Sequence, residues 1–193
     1  TFERAEEKLI SNCIAKLISR AKVIDSDIDY VISGDLENQI AASDYAMRDF
    51  NIPFLGIYSA CATFGEGLIL SANLIEGKCA KKIIVSTGSH NMVAEKQFRN
   101  PTEYGAPKKK TVTWTSTGSA SLLLSNKKSK IKVVSATAGM VMDGGVKDTN
   151  NMGAVMAIAA ADTIRRHLTD LKIKPDYYDL ILTGDLGVYG KEI

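Results

Sequence analysis

The sequence is poor in the residues that usually hold metals and make bonds. It has two histidines and three cysteines, with no HxxxH and no CxxC spacing, so a zinc site has no ligand set to draw on. Cys13, Cys61 and Cys79 stand in unrelated contexts and are odd in number; a reduced compartment is the simpler reading. Long apolar runs are missing. The longest, Gly153 to Ala161, covers nine residues against the roughly 20 that a membrane-spanning helix needs. Thr1-Phe-Glu-Arg opens a charged helix directly, with no apolar leader stretch, and a start at Thr1 leads us to expect that preceding residues are absent. A charge excess is missing too: 24 basic and 22 acidic side chains leave a formal charge of +2, which gives no reason to expect nucleic acid. The basic clusters, Lys108–Lys110 and Lys127-Lys128 with Lys130 and Lys132, lack interleaved aromatics. They read as solvated loops, with contact to an acidic membrane surface as the alternative. There is no Walker loop; Gly65-x-Gly67 lacks a third glycine and falls inside a helical segment, so nucleotide binding is unsupported.

What the chain does contain is one phrase written twice. Asp29-Tyr-Val-Ile-Ser-Gly-Asp-Leu36 returns 150 residues later as Asp179-Leu-Ile-Leu-Thr-Gly-Asp-Leu186, with four of eight positions identical. Each copy follows an amphipathic helix. The repeated unit is therefore helix, turn, strand and polar strand end, and two such units imply a fold of two similar halves that meet around a site. With 193 residues, 45% hydrophobic and 24% charged, the chain has room for one large α/β domain or two small ones.

Residues 3–21 place Ala5, Leu9, Ile10, Cys13, Ile14, Leu17 and Ile18 on one helical face. Strand 29–33 follows, then a helix near 38–50 and a short strand, Phe54 to Tyr58. Residues 62–76 carry only Glu66 and Glu76 as charges, which predicts a helix buried on nearly all sides. Ile83-Ile-Val85 is an apolar strand of the kind found in covered parallel sheets. Residues 88–117 hold His90, Arg99, Tyr104, Trp114 and two prolines with little periodicity; irregular stretches of that length are usually functional. Strands are predicted at 117–124 and 131–142, a helix at 153–169, and a last strand at 179–183.

Cys61 is the sharpest candidate. It sits between a short strand and a helix N-terminus, where unpaired N–H groups and the helix dipole favour a thiolate. The competing reading is a small buried hydrophobe. A nucleophilic Cys61 would need a base. His167 follows Arg165-Arg166 near a helix end and reads as structural; His90 follows a strand and fits a pocket rim.

These residues resemble a known superfamily. Tyr58-Ser-Ala-Cys61-Ala-Thr63 before an apolar, glycine-containing helix resembles the nucleophile segment of thiolases and ketoacyl synthases, and Thr117-Gly-Ser-Ala-Ser121 resembles their Gly/Ala strand start. A longer likeness, from Ile52-Pro-Phe-Leu55 through Ser89-His90, Ala94 to Arg99, Pro101-Thr-Glu-Tyr-Gly105 and Asn151-Met-Gly153 to Tyr178–Leu186, resembles the stage V sporulation AD family of endospore-forming bacteria. The resemblance implies an α/β, thiolase-like duplicated layered fold (α-β-α-β-α). Its first half would span residues 1–130, and the beginning of a second, apparently incomplete half 131–193.

The resemblance also implies a binding protein: one that takes pyridine-2,6-dicarboxylic acid (dipicolinic acid) into the developing spore, works with membrane proteins of the same uptake system, bears on germination, and lies peripherally at the inner membrane of the developing spore. The alternative is an acyl transferase or condensing enzyme using Cys61. Condensing relatives place a catalytic histidine where this chain reads Thr183-Gly184-Asp185, so no catalytic residue, no cofactor and no metal is expected. The ligand set implied is Cys61, Thr63, His90, Arg99, Tyr104, Thr183 and Asp185. Arg99 would grip one carboxylate, the helix after Cys61 would offer N–H groups to the other, and Tyr104 or Trp114 would cover the ring. Arg99 has a second reading as a loop anchor paired with Glu95 or Glu103. Asp35 and Asp185 would repel the dianion, and a calcium ion arriving with the ligand would reverse that sign. A homodimer is expected, as in the superfamily, with strand 81–87 as the pairing edge.

Overall fold

A stripe of apolar residues at helical spacing builds the first element, α1 (Phe2–Ala21). The Thr1 hydroxyl caps its start by accepting the Arg4 N–H, and Lys22 ends it in the left-handed region. The computed structural model describes residues 1–99 and 104–192. Ile10 and Ile14 of α1 are fully buried against a sheet. That sheet has β1 (Tyr30–Gly34), β2 (Phe54–Gly56), β3 (Lys82–Ser89) and β4 (Gly118–Ser125) in the order β2-β1-β3-β4. β1 is parallel to β2 and β3, while β4 runs antiparallel to β3.

Both faces of the sheet are covered, which is why β1 and β3 read as continuous apolar runs. On one face α1 and α2 (Ala41–Ala46) bury Val31 and Ile84; on the other, α3 (Thr63–Glu76) brings Leu74 and Ile75 onto Ile32 and Ile83. The expected all-round burial of the 62–76 helix is not what forms. Its buried positions are the small ones, Thr63, Gly67 and Ser71, while Leu70 is 37% exposed. The small residues let α3 settle close: a Cβ on Gly67 would lie 2.7 Å from a Val85 methyl. The helix expected near 38–50 is broken into α2 and two 3-10 turns, because Gln39 and Ile40 both take positive φ. The stretch read as irregular contains a capped helix, α4 (Asn91–Phe98). The pairing edge expected at 81–87 is corrected as well: β3 is bonded on both sides, and the sheet's edges are β2 and β4.

The chain divides into two units, Thr1–Tyr104 with Thr115–Val133, and Gly105–Trp114 with Val134–Ile193. The second holds α5 (Met152–Leu171) and α6 (Gly187–Glu192). The strands predicted at 131–142 and 179–183 are not formed; both segments run without ladder partners, and Leu182 is 80% exposed. A strand exists only through its neighbours' hydrogen bonds, and apolar sequence alone does not supply them. Among the described residues no helix is long and apolar enough to cross a membrane.

Candidate functional site

Because β1 and β3 are parallel, their C-terminal ends emerge at one edge of the first unit, the usual place for ligands in open α/β sheets. Gly34 ends β1 directly beneath the turn that carries Cys61. A Cβ there would lie 2.0 Å from the Ile57 carbonyl oxygen and 2.9 Å from Thr63 Cγ2. The turn is braced from inside: the buried Thr63 hydroxyl accepts the Ser59 N–H at 3.1 Å, and the Ser59 hydroxyl donates to Glu66. Ala60 takes φ 46, a left-handed conformation that costs an L-residue roughly 1–2 kcal/mol. That bend feeds a 3-10 turn, Ala60–Ala62, into α3 and leaves Cys61 exposed at the helix start.

Beside the turn the unit buries carboxyl groups. Asp35 follows Gly34 and is 1% exposed; its two oxygens accept the N–H groups of Glu37 at 2.8 Å and Ser43 at 2.7 Å. Glu6 of α1 is wholly buried. One oxygen accepts the His90 N–H at 2.9 Å, and the other has no hydrogen-bond partner among the described residues, as is true of one Glu37 oxygen. Burial, with the charge of Asp35 added, pushes Glu6 up to about 8 and Glu37 up to about 7; burial raises Asp35 too. Near neutral pH Glu6 therefore keeps its proton.

His90 caps α4. Its Nδ1 accepts the Met92 N–H at 3.3 Å, and its ring stacks on Phe2 at 5.1 Å between centroids. A neutral imidazole that accepts at Nδ1 carries its proton on Nε2, leaving a donor for a ligand. Arg99, at the other end of α4, is ion-paired with Glu95, with both side chains buried. This pair is the one named in the anchor reading. Glu103 and the Pro101–Glu103 part of the motif lie outside the described residues. Tyr104 is 73% exposed.

Thr183 and Asp185 belong to the second unit, where both are exposed; Asp185 accepts the Gly187 N–H at 2.9 Å. Trp114 is also there, its ring under the Lys108 ammonium at 3.4 Å. His167 bonds Thr137 at 2.8 Å through Nδ1 and the Tyr178 hydroxyl at 2.6 Å through Nε2, which makes it structural. The first unit thus gathers Cys61, Thr63 and His90 around its strand ends. Sequence reasoning missed Glu6, although a signal existed: it stands four residues before Ile10 and eight before Ile14, on the buried stripe of α1. Among the described residues no three His, Cys, Asp or Glu side chains are arranged to hold a metal ion.

The family model for Stage V sporulation protein AD matches residues 1–193. Stage V sporulation protein AD of Bacillus subtilis (strain 168) is 42% identical over 193 residues, covering 100% of this chain and 57% of that protein. The chain thus spans little more than half of that relative. A solved structure of a Xanthomonas campestris OleA variant superposes with a TM-score of 0.68 at 12% identity, covering 97% of this chain and 61% of that one. AbyA1, a tetronic acid condensing enzyme, gives 0.62 at 14% identity, covering 96% and 65%. Identities that low show the fold alone, and that fold is thiolase-like α/β. With its whole length matched by the family model and a relative at this identity, the chain belongs to the stage V sporulation protein AD family.

Proposed function

We propose that this protein binds dipicolinate without converting it, for uptake into the developing spore. It would act beside membrane proteins of the same system, peripherally at the spore's inner membrane. Membership of a sporulation family supports the setting. What supports the non-enzymatic reading is how the two histidines are used. His90 Nδ1 is taken by Met92, and both His167 nitrogens are taken within the second unit.

The same strand ends suit a small dianion. The N–H groups of Ala62 and Thr63 are used within the turn, on the Ser59 and Ala60 carbonyls, so a carboxylate beside Cys61 would be favoured by the positive end of the α3 dipole. His90 Nε2–H supplies a further donor. Protonated Glu6 removes most of the repulsion that a buried carboxylate would exert. Both Asp35 oxygens already accept backbone N–H groups, which supports a reading of binding without calcium. A homodimer formed through this sheet would use an edge strand, β2 or β4, where Leu55 and Leu122 are 42% and 48% exposed.

Titration calorimetry of the full-length protein with dipicolinate tests this reading. Saturable heat, unchanged by calcium chelation and declining as pH rises through about 7 to 8, is the expected result. No heat at millimolar ligand removes it. The second reading, acyl transfer through Cys61, draws on the left-handed Ala60 that presents the thiol. Intact-mass analysis after incubation with acyl-coenzyme A decides it: an acyl adduct lost in Cys61→Ala supports transfer, and an unmodified mass removes it.

A further inference from the structure

The lysines read from sequence as two solvated clusters are not equivalent in the structure. Lys127, Lys128, Lys130 and Lys132 follow β4, and the Asn126 N–H bonds the Lys81 carbonyl at 3.2 Å, so this loop leaves the sheet beside the start of β3. Lys78 and Lys81 precede β3 at the same end. All six are exposed. Neither 77–82 nor 126–133 contains an Asp or Glu, and among the described residues none of these six forms an ion pair, whereas Lys82 does, with Asp27 at 3.6 Å. The acids at this end are fewer than the lysines: Glu76 and Asp27 are exposed, Asp27 is paired with Lys82, and three aspartates are held by backbone N–H groups. Asp29 accepts the N–H groups of Lys81 and Lys82 at 2.6 and 2.8 Å, Asp27 accepts that of Ile24, and Asp25 that of Asn51. By contrast Lys109 is paired with Asp148 at 3.4 Å, and Lys108 is spent on Trp114.

We propose that this end of the first unit is a docking face for an anionic lipid bilayer. Six lysines on a chain of net charge +2 concentrate positive potential on one end. Ile131, 88% exposed between Lys130 and Lys132, and Val133, 52% exposed, supply apolar side chains that enter the headgroup layer. The face has lysine only, with no arginine and no aromatic to grip phosphates or stack on bases, which favours a lipid surface over nucleic acid. It lies at the opposite end of β3 from His90, about 25 Å away for eight strand residues. Docking here leaves the ligand edge turned away from the bilayer. The proposal needs no ligand, so vesicle binding and dipicolinate binding succeed or fail separately.

Flotation of the full-length protein with vesicles tests it, comparing 30% phosphatidylglycerol in phosphatidylcholine with phosphatidylcholine alone. Wild type binds only the anionic vesicles and is released as salt rises from about 0.05 to 0.5 M. Each lysine removed weakens partitioning roughly fivefold, so the triple variant K127Q/K128Q/K130Q loses on the order of a hundredfold. The control K109Q/K110Q, which removes nearly as much charge elsewhere, stays within about twofold of wild type. These side chains are exposed, and an unchanged melting temperature certifies the fold. Equal binding to both vesicles, equal loss in both variants, or lysine-dependent retention on duplex DNA without vesicle binding each overturns the proposal.

Discussion

The two copies of the repeat form the same local structure and different strands. Both begin with a capped helix of 20 residues, Thr1 accepting from Arg4 in the first and Asn151 from Ala154 in the second. Both helices end in a left-handed lysine, Lys22 at φ 54, ψ 47 and Lys172 at φ 54, ψ 42. Both continue through a 3-10 turn, Asp25–Asp27 and Pro175–Tyr177, into extended residues. Both finish with an aspartate that accepts an N–H two residues on, Asp35 from Glu37 and Asp185 from Gly187. Only the strands differ: Val31 and Ile32 are fully buried between neighbours, whereas their counterparts Ile181 and Leu182 are 43% and 80% exposed. Helix, cap and turn are specified by a few adjacent residues. A strand requires partners, and the described part of the second unit supplies none.

That contrast can be broken at matched positions. Gly34→Ala should cost the most, at least about 3 kcal/mol, because its methyl has no room beneath the Ile57 carbonyl. In the same chain Gly184→Ala should cost nearly nothing, since nothing lies within 4 Å of its Cβ; urea unfolding of both variants checks the pair. Glu6 gives the next effect. Its carboxyl lies at about 8 in the fold and near 4.5 when unfolded, so the folded state holds the extra proton. The stability it allows is greatest below pH 4.5 and falls as pH rises to about 8. Melting temperature should drop by several degrees across that window, and Glu6→Gln should flatten the slope.

Asp29→Ala should cost about 1 kcal/mol more than Asp179→Ala. Asp29 accepts two N–H groups from the next strand, and those bonds hold its carboxyl below the usual range. That contribution is present at neutral pH and is lost as pH falls through the lowered value. Thr1→Ala and Asn151→Ala should differ least, each costing about 1 kcal/mol through the lost cap.

Much of this was legible in the sequence for the same reason that the copies match. Periodicity announces α1 and α5, and Asp29 to Leu36 announces the repeat. The junction at Cys61 is visible as a short strand meeting a helix. What escaped was non-local. Nothing local says that α3 buries Thr63, Gly67 and Ser71 instead of its large side chains, or that Asp35 folds inward onto Ser43. The unformed strands at 131–142 and 179–183 escaped because apolar character was taken to imply partners. Glu6 was overlooked because a charged residue on an apolar stripe is usually a solvated edge.

A structure of the full-length protein soaked with dipicolinate tests the central claim most directly. The account predicts the ligand at the C-terminal ends of β1 and β3, one carboxylate at the start of α3 beside Cys61, His90 within hydrogen-bond distance and Cys61 unmodified. Ligand bound elsewhere, or a covalent group on Cys61, would contradict it.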